Sequence, residues 1–130
     1  RGRVVTESQS SSGIIISTGI GQSGWYKSVM AQAQAACGLF GFDDSCEYNA
    51  VGWDEKKLSF VVREPFPSNT TGASIVFGML EEGDLFKVLS KMPENGVIFS
   101  DGMEADAIKF NAGVEVSIEV AETKGFLVRK

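Results

Sequence analysis

Residues 13–25 read GIIISTGIGQSGW, and this stretch decides how the chain is interpreted. The isoleucine run is typical of a β-strand, and the three glycines after it are typical of a tight turn, because glycine adopts backbone angles that other residues avoid. From Ser23 to Cys37 the apolar residues recur at three- and four-residue steps, which predicts a helix that ends at Gly38. A strand, a glycine-rich turn and a helix therefore follow one another.

Most of the chain outside this helix alternates between apolar and polar residues, as half-buried strands do. The predicted strands cover residues 4–7, 13–17, 58–63, 74–79, 85–89, 97–100, 108–110, 114–120 and 126–128. A serine-rich loop occupies 8–12, and turn residues fall at 65–72, 81–84, 92–96, 100–102 and 111–113. Short, closely spaced strands with one prominent helix predict a mainly-β fold, an antiparallel sandwich or rolled sheet, in one domain spanning 1–130.

The composition excludes several classes of protein. Twelve Lys and Arg against 17 Asp and Glu give a net charge of −5, with no His. An acidic chain without a basic cluster argues against nucleic acid as a partner, and no apolar run reaches the roughly 20 residues that a membrane span needs. Without His, neither a Ser-His-Asp or Cys-His catalytic site nor a His-containing zinc site is available within the chain.

The cysteines and the first residues indicate the compartment of the protein and whether the chain is part of a longer one. Cys37 and Cys46 are too few for a disulfide scaffold and lack the C-x-x-C spacing of a zinc ribbon, so we expect free thiols in a reducing, cytoplasmic environment. The chain opens RGRVVT, with no initiator Met and no signal-like apolar stretch. This opening predicts a piece of a longer protein.

The glycine-rich turn is the strongest candidate for a binding site. A strand followed by a turn and a helix start exposes backbone N–H groups that suit an anionic ligand. The glycines also spell G-x-G-x-x-G, with Asp43 or Asp44 about 20 residues on, as in a Rossmann dinucleotide site. However, residues 38–42 are short and broken by glycine, and no further helix completes a βαβ pattern. A purely structural turn is the third interpretation.

Residues 17–25, STGIGQSGW, resemble the T-P-T-G-S-T-A-Y signature of the NAD kinase family, within the NAD kinase and diacylglycerol kinase-like superfamily. Residues 99–102, FSDG, and the strands that follow are similar to the closing S-x-D-G segment of that family. In the family the signature loop lines the dinucleotide site of an all-β C-terminal domain. The chain departs from the signature at Gly19, where the family has Pro, and at Ile20, where a hydroxyl is usual.

The resemblance implies a set of substrate-binding residues, with Trp25 replacing the tyrosine ring and keeping its stacking face. The set is Thr18, Gly19, Gly21, Gln22, Ser23, Gly24, Trp25, Ser28 and Asp101. Asp101 is also an ordinary residue for a hairpin turn. Arg63 is compatible with a phosphate contact or with a salt bridge at a strand edge.

By the same resemblance, the full-length protein would use ATP or polyphosphate, with Mg²⁺, to phosphorylate the 2′-hydroxyl of NAD and give NADP. The family's G-G-D-G motif and Asn-Glu pair are absent here, so the chain alone is predicted to be inactive and to hold no metal. Its expected partners are NAD or a related nucleotide and a missing N-terminal α/β domain. The alanine-rich stretch 30–37 predicts tight packing on the sheet or a homo-oligomer contact. The alternatives are a non-catalytic nucleotide-binding module and the C-terminal domain of a lipid or sugar kinase relative.

Overall fold

The computed structural model describes residues 4–41 and 48–126. Asp43, Asp44, Cys46 and the end of the predicted strand 126–128 lie outside the described residues. The strands are β1 (Gly13–Thr18), β2 (Leu58–Arg63), β3 (Phe77–Leu80), β4 (Phe86–Leu89), β5 (Val97–Ser100), β6 (Met103–Lys109) and β7 (Glu115–Ile118). One α-helix, α1 (Trp25–Leu39), follows β1 after a short 3-10 helix at Gly21–Ser23. All strand pairs found in the described part are antiparallel. The mainly-β class with one prominent helix is confirmed.

The chain divides into two compact units. The first comprises Arg1–Glu82 together with Val120–Lys130, and the second comprises Gly83–Glu119. The glycine-rich turn belongs to the first unit and Asp101 to the second.

The first unit is built on a three-stranded sheet in the order β1-β2-β3. The register of β1 and β2 runs from Gly13 opposite Arg63 to Thr18 opposite Leu58. Strand β2 is central, and its four inner residues, 59–62, are all buried, as expected for a strand that is covered on both faces. In β3, a side chain at Gly78 would lie 2.6 Å from the ring of Phe60, so the glycine makes room for the aromatic ring.

The prediction of a strand at 4–7 is wrong. Residues 4–12 form no strand, although Ser8 and Ser10 accept backbone hydrogen bonds of 2.8 Å from Gly72 and Phe66. The carboxylate of Glu7 accepts hydrogen bonds from the backbone N–H groups of Ser74 and Ile75. Hydrogen bonds to the Glu7 carboxylate, rather than a strand ladder, therefore join this segment to the loop before β3.

Helix α1 extends past its predicted end. Gly38 lies inside the last turn, and the N–H of Phe40 still donates to the carbonyl of Ala36 at 3.1 Å. Gly41, at φ +68°, adopts the left-handed conformation typical of the residue after a helix. The helix buries only Tyr26, and its alanines are exposed, so the expected tight packing of the alanine-rich stretch on the sheet is not observed.

Cys37, in the last turns of α1, is disulfide-bonded. The expectation of a free thiol is therefore wrong at this position. Disulfides persist mainly in oxidising compartments, so this bond removes the argument that led from the cysteines to the cytoplasm. No helix in the described ranges is both long enough and apolar enough to cross a membrane.

The second unit consists of the antiparallel pairs β4-β7 and β5-β6. Asp101 and Gly102 form the two-residue turn between β5 and β6, with φ of +53° and +76°, as a type I′ hairpin requires. This confirms the turn predicted at 100–102. Strand β6 starts five residues before the predicted 108, because so tight a turn lets the ladder resume at Met103. In this unit, whose residues are all described, no apolar side chain is fully buried.

Candidate functional site

The loop between β1 and α1 approaches the backbone of residues 51–52 at Gly19. Gly19 is buried, and a Cβ there would overlap the carbonyl oxygen of Gly52 and lie 2.8 Å from that of Val51. Real Cβ atoms do not make such contacts, so this position requires glycine. The first glycine of the motif is thus explained by close backbone packing.

Gln22 anchors the loop from within. Its side-chain Nε2 donates to Ser59 Oγ at 2.7 Å, while Oε1 accepts from the Tyr48 hydroxyl at 2.5 Å and from the N–H of Val51 at 2.9 Å. Gln22 is only 6% exposed, so these bonds replace the water that its amide loses on burial. The structure gives Gln22 an anchoring role, and sequence reasoning had identified neither Ser59 nor Tyr48 as its partners.

Tyr48, the hydroxyl partner of Gln22, also contacts two other aromatic rings, one of them in the first turn of α1. The Tyr26 ring lies 6.0 Å from that of Tyr48, which in turn meets Phe77 edge-on at 6.5 Å. Burial, and then the proximity of Tyr26, raise the pKa of the Tyr48 hydroxyl to about 12. Tyr48 therefore stays protonated and remains a hydrogen-bond donor to Gln22 at physiological pH.

The outer side of the loop carries the remaining predicted residues. Thr18, Gly21, Ser23, Gly24, Trp25 and Ser28 are all exposed. The Ser23 hydroxyl donates to the carbonyl of Ile20 at 3.1 Å, and the Ser28 hydroxyl to that of Trp25 at 2.7 Å. Thr18 Oγ1 accepts the N–H of Gly21 at 3.3 Å. These hydroxyls are oriented by the backbone, and a hydroxyl oxygen with one such bond can still accept another.

Trp25 meets Arg63 at the start of α1. The guanidinium carbon of Arg63 lies 4.3 Å from the centroid of the indole, a cation–π contact. The indole residue is 50% exposed. The sequence makes Arg63 compatible with a phosphate contact but does not place it beside Trp25, because 38 positions separate the two in the chain.

The first turn of α1 has no side chain that offsets the helix dipole. Gly24 provides no side-chain cap, and the first turn contains no acidic residue, while Lys27 lies in that turn. The partial positive charge of the helix N-terminus is therefore not neutralised locally. An anionic group is favoured in this environment.

The predicted residues extend along the sheet. Thr18 is opposite Leu58, whereas Arg63, five residues further along β2, is opposite Gly13. At about 3.3 Å per residue, the backbones of Leu58 and Arg63 are about 17 Å apart along β2. The loop thus runs from the end of β1 back towards its beginning, where Trp25 meets Arg63. Asp101 belongs to the second unit and is exposed in its hairpin turn.

A second cluster of charges lies elsewhere in the first unit. A cleft of about 310 Å³ is lined by Glu55, Lys56, Lys57, Glu81 and Glu82. Lys57 is 3.2 Å from Glu81 and 3.3 Å from Glu55, and these partners raise the pKa of its amine. Lys56 pairs with Glu82 at 2.6 Å. The lysines and glutamates that line the cleft largely neutralise one another, so the cleft offers little attraction to a charged ligand.

Within the described residues, no group of three or more His, Cys, Asp or Glu side chains is placed to hold a metal ion. Comparisons of the chain with protein-family models, with curated proteins and with solved structures found no match. The fold and the loop define a mainly-β chain in which an exposed indole meets a guanidinium at the start of α1.

Proposed function

We propose that this chain is the substrate-binding, C-terminal part of an ATP- or polyphosphate-dependent NAD kinase, and that it binds NAD or a related nucleotide. The observation that carries the proposal is the half-exposed indole of Trp25, which lies beside Arg63 at the uncapped start of α1. Exposed Thr and Ser residues of the glycine-rich loop precede it in the chain.

The chemistry of this site matches the parts of a nucleotide. An indole offers a stacking surface for a base, hydroxyl groups can pair with those of a ribose, and a guanidinium or free backbone N–H groups suit a phosphate. NAD contains all three parts. The outward side of the loop presents the corresponding groups in exposed positions, while Gln22 and Gly19 hold the inward side.

In the full-length protein, the γ-phosphoryl group of ATP would be transferred to the 2′-hydroxyl of NAD, with Mg²⁺ neutralising the phosphates. We assign Mg²⁺ and the phosphoryl donor to the rest of the full-length protein, because in the family that this chain resembles they belong with the G-G-D-G motif and the Asn-Glu pair. The chain alone is expected to bind the acceptor and to form no NADP. ATP-dependent NADP formation by these 130 residues would contradict this division of roles.

The alternative is a non-catalytic nucleotide-binding module or a lipid or sugar kinase relative. One observation favours a ligand other than NAD: Ile20, where a hydroxyl is usual in the family, is 42% exposed. A panel of nucleotide, sugar and lipid acceptors, assayed with the full-length protein, distinguishes these functions. Phosphorylation of NAD alone supports the proposal, and phosphorylation of a sugar or lipid alone refutes it.

The binding test uses the two tryptophans as a matched pair. Trp25 and Trp53 are similarly exposed, at 50% and 54%. In a Trp53→Phe background, NAD should change the emission of Trp25 and give a saturable isotherm by calorimetry. Trp25→Leu should weaken binding about tenfold, the usual value of a base stack, whereas Trp53→Leu should not. Equal effects of the two substitutions, or no binding by the parent chain, would refute the proposal.

A further inference from the structure

Arg63 carries a charge that its surroundings only partly satisfy. Its side chain is 25% exposed, and its guanidinium makes no hydrogen bond among the described residues. Its closest acidic partner there, Glu64, is 3.5 Å away, which is long for a charge-assisted hydrogen bond. A guanidinium has five N–H donors in a planar fork, so most of its donor capacity is unused.

The contacts around Arg63 hold its plane while leaving those donors available. The indole of Trp25 supports one face of the guanidinium at 4.3 Å. The backbone of the same residue is held by β2 and by Ser12, whose N–H donates to the Arg63 carbonyl at 3.1 Å. A cation fixed in this way loses little freedom on binding an anion, because the stack already orders the side chain.

Glu64 is a weak competitor for the guanidinium. Its side chain is 66% exposed, and its backbone φ is +40°, a left-handed conformation that is unfavourable for a residue with a side chain. Backbone strain of this kind concentrates at functional sites. An anionic ligand can displace so exposed a carboxylate from a partner 3.5 Å away.

We infer that Arg63 is the anion-binding residue of the site, and that its guanidinium binds a phosphate group of the nucleotide whose aromatic ring contacts Trp25. This inference rests on the proposed function and narrows it. Because Arg63 covers one face of the indole, the ligand ring stacks on the other face or at the exposed edge of the pair. The favoured ligand is therefore a phosphorylated nucleoside rather than a nucleoside.

The test compares AMP, which is one half of NAD, with adenosine, which lacks only the phosphate. The Trp53→Phe chain, in which Arg63 is intact, should bind AMP about tenfold more tightly than adenosine, the value of a charge-assisted hydrogen-bond pair. Arg63→Met keeps an unbranched apolar stem and removes the charged guanidinium, so the two affinities should become equal within about twofold. Lys27→Met removes an exposed charge from the first turn of α1 and should leave most of the preference for AMP.

Glu64→Gln supplies a second test that does not depend on the folding of the Arg63 variant. Removing the competing carboxylate should tighten AMP binding about threefold and leave adenosine binding unchanged. If Arg63 only packs on Trp25, neither Glu64→Gln nor Arg63→Met will change the ratio of the two affinities, and the inference is overturned while nucleotide binding stands. If the parent chain binds NAD, AMP and adenosine with no measurable affinity, the proposed function fails as well.

Discussion

Gly19 shows how one residue determines the shape of the loop. A methyl group at this position would overlap the backbone of residues 51–52. Gly19→Ala should lower the free energy of unfolding by about 1–3 kcal/mol, measured by urea denaturation, because the loop or the facing backbone must shift.

The matched control is Gly38→Ala. Gly38 lies inside α1 with no atom near its missing Cβ. Alanine should stabilise the protein by about 0.5–1 kcal/mol here, since glycine is the poorer helix former. If both substitutions have the same sign, crowding is not what requires glycine at position 19.

Glu7 is a second single residue with a measurable effect. Hydrogen bonds from the backbone N–H of Ile75, from the Gln9 side chain and from Ser74 lower the pKa of its carboxyl below 4.5. The ionised form is therefore favoured in the folded state, so its contribution to stability is present above pH 4.5 and disappears as the pH falls through the lowered pKa.

Glu7→Gln should consequently lower the Tm at pH 7, and the difference from the parent chain should shrink at pH 3. Glu122→Gln, at an exposed position, is the control and should change the Tm little at either pH. An equal Tm deficit of Glu7→Gln at both pH values would contradict this role for the carboxylate.

At the scale of elements, the β5-β6 hairpin depends on its two turn residues. Both Asp101 and Gly102 have positive φ. Gly102→Ala should destabilise the protein by about 1 kcal/mol in urea denaturation, whereas Asp101→Asn should be tolerated, because Asn adopts this conformation readily. A large loss of stability in Asp101→Asn would show that the carboxylate itself has a structural role beyond the turn.

The disulfide at Cys37 lies in the last turn of α1. Intact mass spectrometry of the unreduced chain should give a mass lower by two hydrogen atoms than that of the reduced chain, since a disulfide forms with their loss. Reduction should also lower the Tm, because a cross-link restricts the unfolded chain. Free thiols in protein purified without reductant would contradict the bond and restore the argument for a reducing compartment.

At the scale of the whole molecule, stability is distributed unevenly. Among the described residues, the buried apolar side chains are those of Tyr26, Val51, Phe60, Val61, Val62 and Leu80, all in the first unit. The paired strands of the second unit have no fully buried apolar side chain, and such small ladders are marginal alone. Local opening requires least free energy where few apolar contacts must be broken.

Hydrogen exchange should therefore be slowest in β2 and at least about tenfold faster in β4, β5, β6 and β7. Mass spectrometry of peptic fragments measures this difference, with the peptide covering β1 as an internal comparison. Equal protection in the two units would show that the second unit gains stability from a source other than its own buried side chains.

The local sequence predicts the strands correctly where its signals agree. Strands β2 and β5 were predicted at their observed limits, since dense β-branched and aromatic runs are bounded by turn residues. It missed the beginning of β6, where Glu104, Ala105 and Asp106 are poor strand formers that pairing with β5 overrides. The motif indicated the hydroxyls and Trp25 of the loop, which are exposed and whose role in binding stays a prediction, but it gave no signal for the anchor of Gln22.

By itself, the sequence determined the order of strand, glycine-rich turn and helix, the mainly-β class and the absence of histidine chemistry, because these depend on composition and on neighbours a few residues apart. Only the tertiary structure decided which side of the loop faces inward and that Trp25 meets Arg63. The bond from Gln22 to Ser59 joins residues 37 positions apart. No local pattern encodes such a contact, because it forms only when the sheet brings distant segments together.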